Sequence, residues 1–153
     1  MYKKTTDELE KKLEHTHTDD FGQYVNENAE DILSDNREFM KYMNECFKNK
    51  RLKKQDVIVN ADLPLGYGYK LLTQEKVTKQ RDVILRLCYA GELTINETQL
   101  ALKLYNMNTL YVRDPRDALL MLCFNERPGG IMEVNKLLFK NKMQPLRTSG
   151  VQD

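Results

Sequence analysis

The sequence predicts an all-α protein, and three observations carry that expectation. Helix-start signals recur along the 153 residues: Thr5-x-x-Glu8 and Thr94-x-x-Glu97 have capping-box spacing, and Asp114-Pro115 sets an N-cap before a proline at the first helical position. Apolar residues recur with a helical period, as in Phe39, Met43, Cys46 and Phe47. No alternating β pattern runs longer than four residues, and no Asn-Gly hairpin signal occurs.

The elements follow in order. After the Thr5 cap, Leu9 and Leu13 form one apolar stripe. Asp19 and Asp20 open a second short helix with Phe21, Tyr24 and Val25 as apolar positions. Past the polar junction "ILSDNRE", Asp35-x-x-Glu38 starts a helix that "KNKRLKK" ends. "KQDVIVNA" makes a short helix. The next segment, "LPLGYGYKLLTQEKV", has a helical frame but carries Pro64, Gly66 and Gly68 at its start. Thr78 is expected to cap a helix with Val83, Ile84, Leu87 and Cys88 inward, and Gly91 to stop it. The Thr94 box opens a helix bearing Leu100, Ala101 and Leu104. "RDALLMLCFN" is apolar nearly all round and should be buried, until Pro128-Gly129-Gly130 breaks it. A last helix carries Ile131, Val134, Leu137 and Leu138, and the tail "LRTSGVQD" reads as disordered. The expected organisation is acidic N-terminal helices over 1–35, a central domain over 36–110, a C-terminal helical hairpin over 111–146 packed on it, and a loose tail over 147–153.

An internal repeat runs through the last two helix pairs, at a spacing of 35 to 36 residues. Asp82 aligns with Asp117, Leu87 with Leu122, Cys88-Tyr89 with Cys123-Phe124, Glu97 with Glu133, and Leu110 with Leu146. Two similar hairpins packed side by side would each bury the apolar face that neither can bury alone.

Composition narrows the function. No apolar run approaches the roughly 20 residues of a membrane span, and the N-terminus lacks the apolar core of a secretory signal. Cys46, Cys88 and Cys123 are widely spaced within apolar runs, which reads as reduced thiols in the cytoplasm. The net charge of +1 hides a division: residues 1–35 carry 4 basic and 10 acidic side chains, whereas residues 36–91 carry 12 basic and 6 acidic. A polyanion would dock on the basic third.

Within that third, "LKKQDVIVNADLPLGYGYKLL" has helix-turn-helix spacing. Val57 and Ile58 face the core from the first helix, Ala61-Asp62-Leu63 makes the turn, and Leu71 and Leu72 close the core from the second. Such a turn presents the start of the second helix to a DNA major groove. Lys50, Arg51, Lys53, Lys54, Lys76, Lys79 and Arg81 lie where phosphate contacts fall. Lys70 and Gln74 remain as candidate base readers, with Tyr67 and Tyr69 able to donate or stack. One tyrosine is expected to pack inward and the other to face solvent.

Residues 36–107 resemble the lambda-repressor-like, XRE-type helix-turn-helix domain, and the run from Asp7 to Leu146 is similar to short bacterial XRE-type regulators. The resemblance rests on "LKKQDVI", "YGYKL", "RDVILRL", "INETQLALKL" and "LYVRDPRDALLMLCFN" with "VNKLL". It implies an all-α, cytoplasmic, bacterial transcriptional regulator that binds double-stranded DNA through the helix at 64–73, with a homodimer or a protein partner as further associations. The implied contact residues are Lys53, Lys54, Leu65, Gly66, Tyr67, Tyr69, Lys70, Gln74, Lys76, Lys79 and Arg81. The chain departs from the pattern at the reading positions. Pro64 stands where Ser or Asp usually caps, and Leu65 and Gly66 stand where polar or basic residues read bases. Asp62 replaces the glycine of the turn, and Gln74 and Thr78 replace Gly and Pro in the following loop. Those changes raise a second reading: an interaction module that kept the fold but lost base-specific readout.

Other chemistry finds little support. "HTHTDD" offers His15, His17 and Asp19 without a fourth metal ligand. No Ser-His or Cys-His arrangement occurs, and "RPGG" lacks the Gly-Lys that a phosphate loop needs. No enzymatic activity, cofactor, metal or membrane association is expected.

Overall fold

The computed structural model describes residues 6–23 and 37–148. Among them are eight α-helices and a 3₁₀ turn, with no strand. Among the described residues, no helix is long and apolar enough to cross a membrane. The expected caps at Thr5 and Asp35, the apolar positions Tyr24 and Val25, and the tail from Ser149 onward lie outside the described residues. The chain divides into two compact units, one through Glu38 and one from Phe39.

In the first unit, α1 spans Thr6–Glu14, with Asp7 and Glu8 in its first turn and Lys11 and Lys12 in its last. That order of charge complements the helix dipole. Thr16 Oγ1 donates to the Lys12 carbonyl at 2.6 Å, and the 3₁₀ turn Thr18–Asp20 follows.

The remaining helices are α2 (Glu38–Asn49), α3 (Lys54–Asn60), α4 (Leu65–Leu72), α5 (Arg81–Ala90), α6 (Ile95–Leu104), α7 (Pro115–Glu126) and α8 (Ile131–Lys140). Within the second unit, α5 is the central post: α3, α6 and α8 all pack on it. Every residue of α5 from Asp82 to Tyr89 is buried. α2 contributes Phe39, Met43, Cys46 and Phe47 to the same core, the stripe that the helical period marks out. Each such side chain stabilises by about 1.5–3 kcal/mol on full burial.

Local signals explain most boundaries. Thr94 and Glu97 form a reciprocal capping box at α6, and Asp114 accepts from the Asp117 N–H at α7. Two expected signals act otherwise. The α5 N-cap is Gln80, not Thr78; Thr78 Oγ1 accepts from the Gln80 N–H, and its own N–H donates to the Tyr105 hydroxyl at 3.0 Å. Gly91 sits at the α5 C-terminus for space rather than backbone freedom. A Cβ there would meet Phe47 Cε1 at 2.5 Å, and it is the next residue, Glu92, that takes the left-handed conformation with φ 59.

Two other expectations change. α7 is not buried all round: its buried positions are Asp117, Leu120, Cys123 and Phe124, whereas Leu122 is 54% exposed. The tail is held at its start, because Leu146 is buried and the Arg147 N–H donates to Asp82 Oδ2 at 3.0 Å.

Candidate nucleic-acid interface

α3 and α4 are joined by a turn that the backbone builds almost alone. The Ala61 N–H donates to the Val57 carbonyl at 2.8 Å, Asp62 to Val59 at 3.0 Å and Leu63 to Ile58 at 3.3 Å. Asp62 holds φ 56, so it takes the left-handed conformation that a glycine would otherwise supply. Leu63 turns inward and anchors the connection. Pro64 then caps α4 with an extended backbone and no side-chain bond.

α4 packs through Gly68, Leu71 and Leu72. Gly68 is there for close approach: an added Cβ would lie 2.4 Å from Ile58 Cγ2 of α3. Gly66 differs, with nothing within 4 Å of the place its Cβ would occupy. One glycine therefore seats the helix, and the other leaves a notch on its solvent side.

The remaining sequence-predicted residues divide into exposed and committed. Leu65 (40% exposed), Gly66, Tyr69 (36% exposed) and Lys70 face solvent on α4. Tyr67 is half-buried against the core, and Lys76 Nζ sits 5.1 Å from its ring centroid. Lys53 and Lys79 are exposed and Lys54 half-exposed. Among the described residues, no carboxylate pairs with Lys53, Lys54, Lys70 or Lys79.

Three polar residues that the sequence offers for DNA are occupied within the protein. Gln74 Oε1 accepts from the Met40 N–H of α2 at 3.2 Å. Lys50 Nζ bonds both Glu97 oxygens, at 2.9 and 3.1 Å. Burial opposes ionisation of Glu97, but Lys50 and the Thr94 N–H outweigh it and hold the carboxyl below its ordinary range. Arg81 donates to Asp117 Oδ1 at 2.5 Å and to the carbonyls of Asn108 and Thr109. It braces the hairpins instead of reaching outward.

Sequence reasoning missed Arg86. It is buried in α5, where it donates to the carbonyls of Ala61 (2.9 Å), Leu146 (2.7 Å) and Arg147 (2.7 Å). Burial lowers its affinity for the proton, and Asp62 and Asp82 offset part of that effect. Arg86 thus ties the turn before α4 to the C-terminal segment. A single arginine within the apolar run "VILRLC" was the available signal.

The repeat is also wired in a way that spacing alone does not reveal. Arg81 reaches Asp117 of the second hairpin, and Arg116 reaches Asp82 of the first, at 3.0 and 2.9 Å. The exchange extends outward. The Tyr111 N–H donates to Asp117 and the Arg147 N–H to Asp82, each at 2.9 to 3.0 Å. Arg116 also takes the carbonyls of Gln144 and Pro145, as Arg81 takes those of Asn108 and Thr109. Gln99 bonds the Leu110 backbone, and Asn135 bonds that of Leu146. The aligned aromatics Tyr89 and Phe124 meet edge to face at 5.3 Å, with the Arg127 guanidinium over both rings.

Cysteine chemistry and metal binding gain nothing here. All three thiols are buried, and burial pushes each upward. Among the described residues no group of three His, Cys, Asp or Glu side chains is placed to hold a metal. Compared with known proteins, the chain matches no family model, no curated protein and no solved structure.

Proposed function

We propose that this protein binds double-stranded DNA as a lambda-repressor-like, XRE-type helix-turn-helix regulator, with α4 entering the major groove. The observation that carries the reading is the solvent face of α4. Leu65, Gly66, Tyr69 and Lys70 project from one side of a helix whose other side is locked into the core. Lys53 and Lys54 at the start of α3 and Lys76 and Lys79 beyond α4 supply positive charge on either side of it in sequence. Lysines so arranged contact phosphates, while the helix between them meets base edges. A homodimer on two half-sites would follow from such a module.

The test is duplex binding measured across a salt series. Affinity should fall linearly on a log–log plot, with a slope of about −0.9 for each phosphate neutralised. Lys53→Ala with Lys79→Ala should flatten that slope by roughly 1 to 2. No salt-dependent binding to any duplex would remove the reading.

A protein-interaction role is the second reading, favoured by exposed apolar side chains of α8. Met132 and Phe139 of α8 are 67% and 75% exposed and line an open cleft with Val59 and Asp62. In that case the lysine variants keep their partner and Phe139→Glu loses it.

A further inference from the structure

We infer that α4 reads thymine, through apolar contact with its C5-methyl group, with Lys70 as its one charged donor to a base edge. The inference rests on the DNA-binding reading above and specifies what that helix recognises.

α4 lacks most of the side chains that read bases by hydrogen bonds. Its sequence, "LGYGYKLL", contains no Arg, Asn, Gln, Asp or Glu. Bidentate recognition of guanine uses Arg or Lys, adenine uses Asn or Gln, and cytosine uses a carboxylate. Gln74, the nearest amide, already accepts from the Met40 N–H. Tyr67 is half-buried beneath Lys76. Lys70 is then the one charged donor that α4 can offer a base edge.

What α4 exposes is apolar surface with a gap in it. Leu65 and Tyr69 stand one turn apart on the solvent side, so they form a single stripe. Gly66 and Lys70 form the parallel stripe beside it. With open space at Gly66, backbone lies at the surface there, and a groove wall can approach more closely than any side chain would permit. Among the four bases, only thymine presents an apolar group in the major groove. A leucine and an aromatic ring carried there by a close-approaching helix therefore match thymine. The phosphates that bring them into register are met by Lys53, Lys54 and Lys79.

The experiment selects bound sequences from a randomised duplex pool using the full chain. The selected half-site is then resynthesised with deoxyuridine at its thymines, which removes the methyl and leaves every hydrogen-bonding group. Thymine should be enriched in the half-site. Each critical deoxyuridine should weaken binding about fourfold, equivalent to ~0.8 kcal/mol for one buried methyl-sized group. Leu65→Ala should bind the thymine and deoxyuridine duplexes equally at the position it contacts. Leu65 is exposed, so its replacement leaves the core intact, and the deoxyuridine comparison uses the unaltered protein. Salt-dependent binding with no thymine preference, or with deoxyuridine tolerated throughout, would overturn the inference and leave DNA binding standing. Absence of salt-dependent binding would overturn both.

Discussion

In α5 every residue from Asp82 to Tyr89 is buried, whereas the aligned helix α7 buries only Asp117, Leu120, Cys123 and Phe124. Yet the two hairpins make matching polar bonds, residue for residue, through Arg81, Asp82 and Gln99 on one side and Arg116, Asp117 and Asn135 on the other. The polar frame follows the local repeat, because each Arg-Asp pair is placed by its own helix start. Burial follows position in the unit. α5 has α3, α6 and α8 around it, whereas α7 packs on α6 and α8. Leu87 and Leu122 align, but the first is fully buried and the second is 54% exposed.

The largest test of this contrast is Arg86→Met, which installs the residue the second hairpin carries at the aligned place, Met121. Three carbonyl oxygens lose their donor. Stability should fall by about 3–5 kcal/mol in urea unfolding, since each buried carbonyl left without its donor costs about 1–3 kcal/mol. A change within error would mean that Arg86 does not tie the turn to the C-terminal segment. The next test compares the two leucines. Leu87→Ala should cost about 3 kcal/mol through lost burial and a residual cavity, and Leu122→Ala less than about 0.5 kcal/mol. Similar costs would mean that the hairpins are equally buried in solution. The smallest effect concerns what the hairpins share. Asp82→Asn and Asp117→Asn should each cost about 2 kcal/mol, the scale of hydrogen bonds to a charged group, and by similar amounts. One silent substitution would show that the exchange is braced from a single side.

Much of the candidate site is legible in the sequence. The turn at Ala61–Leu63, the inward Leu71 and Leu72, and the division of Tyr67 from Tyr69 all follow from helical period and turn chemistry. Three residues misled. Arg81, Gln74 and Lys50 look like surface contacts because a polar side chain near a basic stretch carries no mark of its partner. Asp117 lies 36 positions from Arg81, Met40 lies 34 from Gln74, and Glu97 lies 47 from Lys50. The two α4 glycines likewise read alike in sequence, though one abuts Ile58 and the other faces open space.

The order of amino acids alone sets the helical make-up of the described residues and roughly where the helices begin, because caps and a 3.6-residue period act over a few residues. It also determined the uneven charge, which is a matter of composition. Which arginines become braces, which lysines stay without a carboxylate partner, and which of two matching helices becomes the core are settled by packing across the unit. Those outcomes depend on neighbours tens of residues away in the chain, whose approach is decided by packing rather than by any local signal.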